Sequence, residues 1–167
     1  DVRNAVWSAT LDDASIFERY ARLLFEPSLA GGREHVSGSH ELLTDGADRH
    51  PQIISRLATE WLERFPEMHS RPEADLMDAL LSRGDQDLLA PLVDPRLRTR
   101  GLEEERVRNW QAAALICDFD AASKAMSGVA TKDAGLFWAI RSRLGARRPY
   151  DPVTENHSLE LSAWMVE

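Results

Sequence analysis

The stretch RNWQAAALICDFDAASKAM, residues 108–126, contains the only cysteine of the chain, Cys117, followed at once by Asp118 and Asp120. Two readings compete for it. A thiol beside two carboxylates suits a catalytic or metal site, whereas the same letters also suit a corner where two buried helices meet. Glu103, Glu104 and Glu105 follow Gly101 and fit a helix N-terminus, where the dipole favours negative charge. From there Val107, Trp110, Ala114 and Cys117 recur at i, i+3, i+7 and i+10, and Ala112, Leu115, Ile116 and Phe119 make a second stripe. Apolar groups on most sides, with small alanines for close approach, describe a central helix that carries Cys117 on its buried face. A thiol in apolar surroundings is a poor nucleophile because burial disfavours the thiolate. Asp120 is then placed to cap the next helix, AASKAM (121–126), by accepting from its first free N–H groups. The stretch reads as a corner.

Working outward, helical periodicity dominates. In PQIISRLATEWLERFP (51–66) the residues Ile53, Ile54, Leu57, Ala58, Trp61, Leu62 and Phe65 form one broad stripe, started by Pro51 and stopped before Pro66. DASIFERYARLLF (13–25) repeats the plan through Ile16, Phe17, Tyr20, Leu23 and Leu24. PEADLMDALLSRG (72–84) supplies Leu76, Met77, Leu80 and Leu81, with Gly84 suited to a left-handed C-cap. DQDLLAPLVDP (85–95) predicts a helix capped by Asp85 and ended by Asp94-Pro95, and KDAGLFWAIRSRLG (132–145) one with Leu136, Phe137, Ile140 and Leu144 inward. Residues 27–47, with Pro27, Gly31, Gly32, Gly38 and Gly46, read mainly as a loop with one short helix around Leu42 and Leu43; residues 146–157 read as a second loop.

These elements predict a single all-α domain over 1–167, built of stacked amphipathic helical hairpins in the manner of an α-solenoid and most repeat-like over 51–145. An internal echo supports stacking. Asp85-x-x-Leu88-Leu89-x-x-Leu92, then Arg96-Leu97, matches Asp133-x-x-Leu136-Phe137-x-x-Ile140, then Arg143-Leu144, at an offset of 48 falling to 47. The chain opens on Asp1, and its last residues, LELSAWMVE (159–167), stop inside an apolar pattern; the reading expects a piece of a longer protein.

Bulk properties narrow the function. Hydrophobic residues are 43% and charged residues 29%, the balance of a soluble globular chain. No apolar run has the length of a membrane span and one cysteine cannot form an internal disulfide; the reading expects no signal peptide and a cytoplasmic, non-membrane protein. The net charge of −8 argues against nonspecific binding of nucleic acid. Eighteen of the twenty basic residues are Arg, clustered at Arg96, Arg98, Arg100 and at Arg141, Arg143, Arg147, Arg148; a solvated face with favourable charge near helix C-termini outweighs a phosphate clamp as their reading.

Catalytic signals are sparse. His35 and His40 lie in HVSGSH (35–40) without the three or four ligands that a zinc site needs. Neither G-x-S-x-G nor G-x-x-x-x-G-K-[ST] occurs. The reading therefore assigns no catalytic residue, metal or cofactor. Its alternative is a small helical metal-binding or enzymatic domain using His35, His40 and nearby acids. Trp61 and Trp110 belong to core stripes. Trp138 points away from its helix's stripe, and Arg141 stands at i+3 on the same side, a pair suited to a protein-binding surface. The rival placement buries Trp138 beneath the last helix beside Trp164.

The segments DLLAPLVDPRL (87–97), EEERVRNWQAAALICDFDAA (103–122), LFWAIRSRLGARR (136–148) and SLELSAWMVE (158–167) resemble the helical region downstream of the NTPase module in bacterial NACHT-type STAND proteins. The likeness rests on a Trp-x-Ala-Ala-Ala-hydrophobic helix ending in Asp-Phe and a Trp-containing helix with Arg-x-Arg, and covers mainly 74–167. It implies a noncatalytic sensor, scaffold or autoinhibitory segment of a larger signalling NTPase, as in antiphage defence, whose partner is another protein or a neighbouring domain. None of that family's catalytic residues has a counterpart here.

Overall fold

Helix α4 (Pro51–Arg64) shows most directly how sequence becomes structure here. Pro51 begins it at a position whose N–H would be unpaired in any case, and Ile54, Leu57, Ala58, Trp61 and Leu62 are all buried along one side. The computed structural model describes residues 2–126, 133–145 and 163–164. Within them the fold is all-α, with α1 (Val2–Asp12), α2 (Ala14–Ala30), α3 (Ser39–Arg49), α4, α5 (Ser70–Leu81), α6 (Gln86–Leu97), α7 (Glu104–Cys117), α8 (Phe119–Ala125) and α9 (Ala134–Gly145), and no strand among the described residues. The expected loop at 146–157, with Arg147 and Arg148, and most of 158–167 lie outside the described residues. The chain divides into two compact units, Asp1–Ala79 and Leu80–Glu167, with the division inside α5.

In the first unit α2 packs against α1, α3 and α4, and α3 against α4. Helix α2 is turned from the expected orientation. Phe17, Ala21, Phe25, Ser28 and Leu29 are buried, while Ile16 and Leu23 are 54% and 69% exposed and Tyr20 also faces solvent. Apolar residues surround this helix, so periodicity alone leaves two faces open; the ring-on-ring contact of Phe25 with Trp61, centroids 4.8 Å apart at 4°, selects the buried one. Asp13 caps α2, its Oδ1 accepting from the amides of Ser15 (2.8 Å) and Ile16 (3.0 Å).

The loop read at 27–47 shrinks to 31–38, because α2 runs past Pro27 to Ala30 and α3 already begins at Ser39. Pro27 is exposed, so the carbonyl that loses its intrahelical donor can meet water. Beyond it the Arg33 amide bonds to the Ser28 carbonyl and the Gly32 amide to the Leu29 carbonyl, with Gly32 at φ 59°, which closes α2 as a Schellman turn. Gly46, which resembled a loop marker, is helical and serves packing. A Cβ there would stand 2.6 Å from Cζ of the buried Phe17 ring.

A guanidinium–carboxylate network ties α2 to α4. Arg22 donates to both oxygens of Glu60 at 2.7 Å and to Glu26 at 2.9 Å; Arg56 reaches Glu18 at 2.7 Å and Arg64 reaches Glu26 at 3.2 Å. Bidentate geometry and shared partners make such a network worth more than isolated surface pairs. The same contacts hold Glu60, through Arg22, and Glu18, through Arg56 and then Arg22, below the ordinary glutamate range, and raise Arg22 further.

In the second unit α6 and α9 both pack on α7, and α8 folds back against it. The left-handed C-cap expected at Gly84 is present, as a Schellman turn: the Asp85 amide bonds to the Leu80 carbonyl, the Gly84 amide to the Leu81 carbonyl, and Gly84 has φ 77°. Asp85 holds the N-cap position of α6 without a side-chain cap bond. Helix α6 continues past Asp94-Pro95 to Leu97, since Pro91 and Pro95 lie on its solvent side while Leu89, Val93 and Arg96 turn inward. That set corrects the echo. Leu89, Val93 and Arg96 correspond in burial to Leu136, Ile140 and Arg143, a constant offset of 47, whereas Leu88 and Phe137 face outward.

Two predictions follow from the first unit. Gly46→Ala should destabilise by about 1–3 kcal/mol despite alanine's better helix propensity, because the Phe17 ring cannot yield inside the core; urea unfolding measures it. Glu18 and Glu60 have lowered folded pKa values, so their contribution is complete above the ordinary glutamate range near 4.5 and is lost as pH falls through the lowered values. Glu60→Gln should therefore lower stability at neutral pH and shrink the further loss on acidification, as read by unfolding curves at neutral and acid pH.

Candidate interaction surface on helix α9

The corner at 117–120 is the first place where chemistry was in question. Helix α7 ends at Cys117, and Asp118, with φ −149° and ψ 85°, breaks it and caps α8 by accepting from the Ala121 amide at 3.1 Å. The cap is thus Asp118 and not Asp120; Asp120 lies in the first turn of α8 and is exposed. Cys117 is half-buried and not fully enclosed, its Sγ 3.8 Å from the Gln86 carbonyl oxygen. The buried side of α7 is Arg106, Asn109, Trp110, Ala112, Ala113, Leu115 and Ile116. Of the first expected stripe only Trp110 is buried, with the Arg96 guanidinium of α6 5.5 Å from its ring, while the polar Asn109 of α7 turns inward and accepts at Oδ1 from Arg143 at 3.1 Å.

The histidines of the alternative reading stand at the surface. His35 Nε2 lies 3.4 Å from Glu34, in the loop before α3, and His40 is exposed in the first turn of α3. Among the described residues no three His, Cys, Asp or Glu side chains come together as a metal site.

Helix α9 is positioned from α7. Asp133 Oδ1 accepts from the amides of Gly135 (2.9 Å) and Leu136 (3.2 Å), capping the helix, while both its oxygens take the Arg108 Nε–H at 3.0 Å. Arg108 beside it holds the Asp133 carboxyl below the ordinary range. Gly135 permits the approach: a Cβ would meet Arg108 Nε at 2.5 Å. Leu136 and Ile140 then enter the core with Ala112, Leu115, Ala122 and Met126, and Arg143 is buried near the C-terminal end.

With that side committed, Phe137, Trp138 and Arg141 are left outside. Trp138 is 57% exposed, its indole edge-to-face with Phe137 at 5.7 Å, and the Arg141 guanidinium lies 5.1 Å from its ring centroid. Trp164 packs instead edge-on against Phe119, centroids 6.5 Å apart, at the rim of the core. The structure thus brings Trp138 and Arg141 together at the surface and does not place Trp138 beside Trp164. Phe137, read as core, joins them there. Its outward turn follows from the register of α9: Leu136, Ile140 and Arg143 already fill the side facing α7.

Comparison with family models, with curated proteins and with solved structures finds no match.

The capping geometry gives a direct test. Asp118→Ala should cost about 0.5–2 kcal/mol and Asp118→Asn, which keeps an acceptor oxygen, much less. Asp120→Ala should be nearly neutral, as thermal melts of the three variants will show.

Proposed function

We propose that the chain is a noncatalytic helical recognition segment, the sensor or scaffold part of a larger NACHT-type STAND NTPase, in which stacked helical hairpins present α9 to a protein partner or a neighbouring domain. The observation that carries this reading is the solvent-facing Trp138 with Arg141 lying over it. A large indole left out of a core that takes in Trp61 and Trp110 completely costs solubility, and tryptophan is enriched where surfaces bind other proteins. A planar guanidinium over the ring adds a directional contact worth about 0.5–2 kcal/mol when a partner excludes water. The likeness of 74–167 to the helical region of STAND proteins supplies the context of the parent.

Trp138→Ala should leave stability within about 0.5 kcal/mol of the parent chain, as for a surface side chain, and remove an indole readily quenched by acrylamide. A loss of about 3–5 kcal/mol, typical of a buried aromatic, would overturn the surface role. The STAND placement is tested on the surrounding reading frame, which should encode G-x-x-x-x-G-K-[ST] upstream of this chain. A complete frame without that motif removes it.

A further inference from the structure

The outward face of α9 has a charge as well as an aromatic character. Over Ala134–Gly145 the sequence holds two Arg and no Asp or Glu, in a chain whose net charge is −8. The nearest acid before it, Asp133, is engaged as a cap and by Arg108. Arg143 is buried toward α7. Arg141 is exposed, and among the described residues its guanidinium contacts the Trp138 ring and no carboxylate. A guanidinium held beside an indole spends none of its N–H donors on the ring's own polar group, and such a fork can take both oxygens of a carboxylate. Phe137 and Trp138 beside it provide an apolar shelf.

We propose that this face binds acidic protein segments, a partner carboxylate engaging Arg141 while an adjacent apolar side chain rests on Trp138 and Phe137. The inference builds on the recognition role proposed above and names the chemistry of the partner. Nucleic acid is the other polyanion that an Arg–aromatic pair could serve, through base stacking. The acidic balance of the chain disfavours it, because long-range repulsion acts on every phosphate whereas a short acidic segment meets mainly the local positive field.

The test uses the whole chain and four labelled probes followed by fluorescence anisotropy. These are a short helical peptide alternating glutamate with leucine at i, i+3 and i+4, its lysine-for-glutamate version, its serine-for-leucine version, and single-stranded oligothymidylate. The glutamate–leucine peptide should bind best, and its binding should weaken as salt is raised. Arg141→Glu should weaken it by about tenfold or more and transfer preference to the lysine peptide, a reversal that loss of fold would not produce. Trp138→Ala should weaken it without moving the melting temperature. Equal binding of the lysine peptide, preference for oligothymidylate, or no Trp138-dependent binding of any probe would overturn the acidic-partner assignment. If the lysine peptide binds equally and Trp138→Ala abolishes both, the recognition surface stands and only its charge preference falls. If Trp138→Ala instead unfolds the chain, the recognition role falls as well.

Discussion

Helix α7 is covered by α6 and by α9, and that double coverage governs the second unit. Ala112 and Ala113 let neighbours approach, and Trp110, Leu115 and Ile116 fill the space around them. A helix enclosed in this way must accept whatever its polar residues bring inside. Asn109 is buried and receives Arg143, and Arg96 lies over Trp110, so each flanking helix sends an arginine into α7 from the equivalent place, 47 residues apart. Such groups are tolerated because the aliphatic stem packs while the planar head finds an amide or a ring.

The same coverage determines what remains outside. Once Leu136, Ile140 and Arg143 turn toward α7, the geometry of a helix forces Phe137, Trp138 and Arg141 to the other side. The clamp from Arg108 to Asp133 and the missing Cβ of Gly135 fix where α9 begins and so fix that rotation. The aromatic–cationic face therefore belongs to a helix whose start is held by the capped and ion-paired Asp133.

The first unit combines two different constraints. Phe17, Phe25 and Trp61 make an aromatic interior, and Gly46 is the gap that admits the Phe17 ring. Around its edge Arg22, Arg56 and Arg64 alternate with Glu18, Glu26 and Glu60, holding α2 in register on α4. Trp61 joins the two, donating its Nε1–H to Glu26 at 3.3 Å. Outside this core the exposed Ile16, Tyr20 and Leu23 remain on the far side of α2.

The sequence by itself determined the all-α class, the stripes of α4 and α5 and the left-handed cap at Gly84, because each depends on helical period or on the φ that one residue permits. Tertiary structure decided the rest. Helix α2 has apolar residues all round, and only the partner rings chose between its faces. Gly46 reads as a loop residue and Gly135 as one more letter of a helix, and only the crossing side chains of Phe17 and Arg108 show them as packing sites. Arg96, Arg143 and Asn109 are polar by letter and buried by context, since an arginine goes inside only where an amide or a ring waits for it. Asp118 and Asp120 are both competent caps; the cap fell to Asp118 because the backbone of α7 ends there. These are differences of neighbourhood, and a one-dimensional pattern carries period without carrying neighbours.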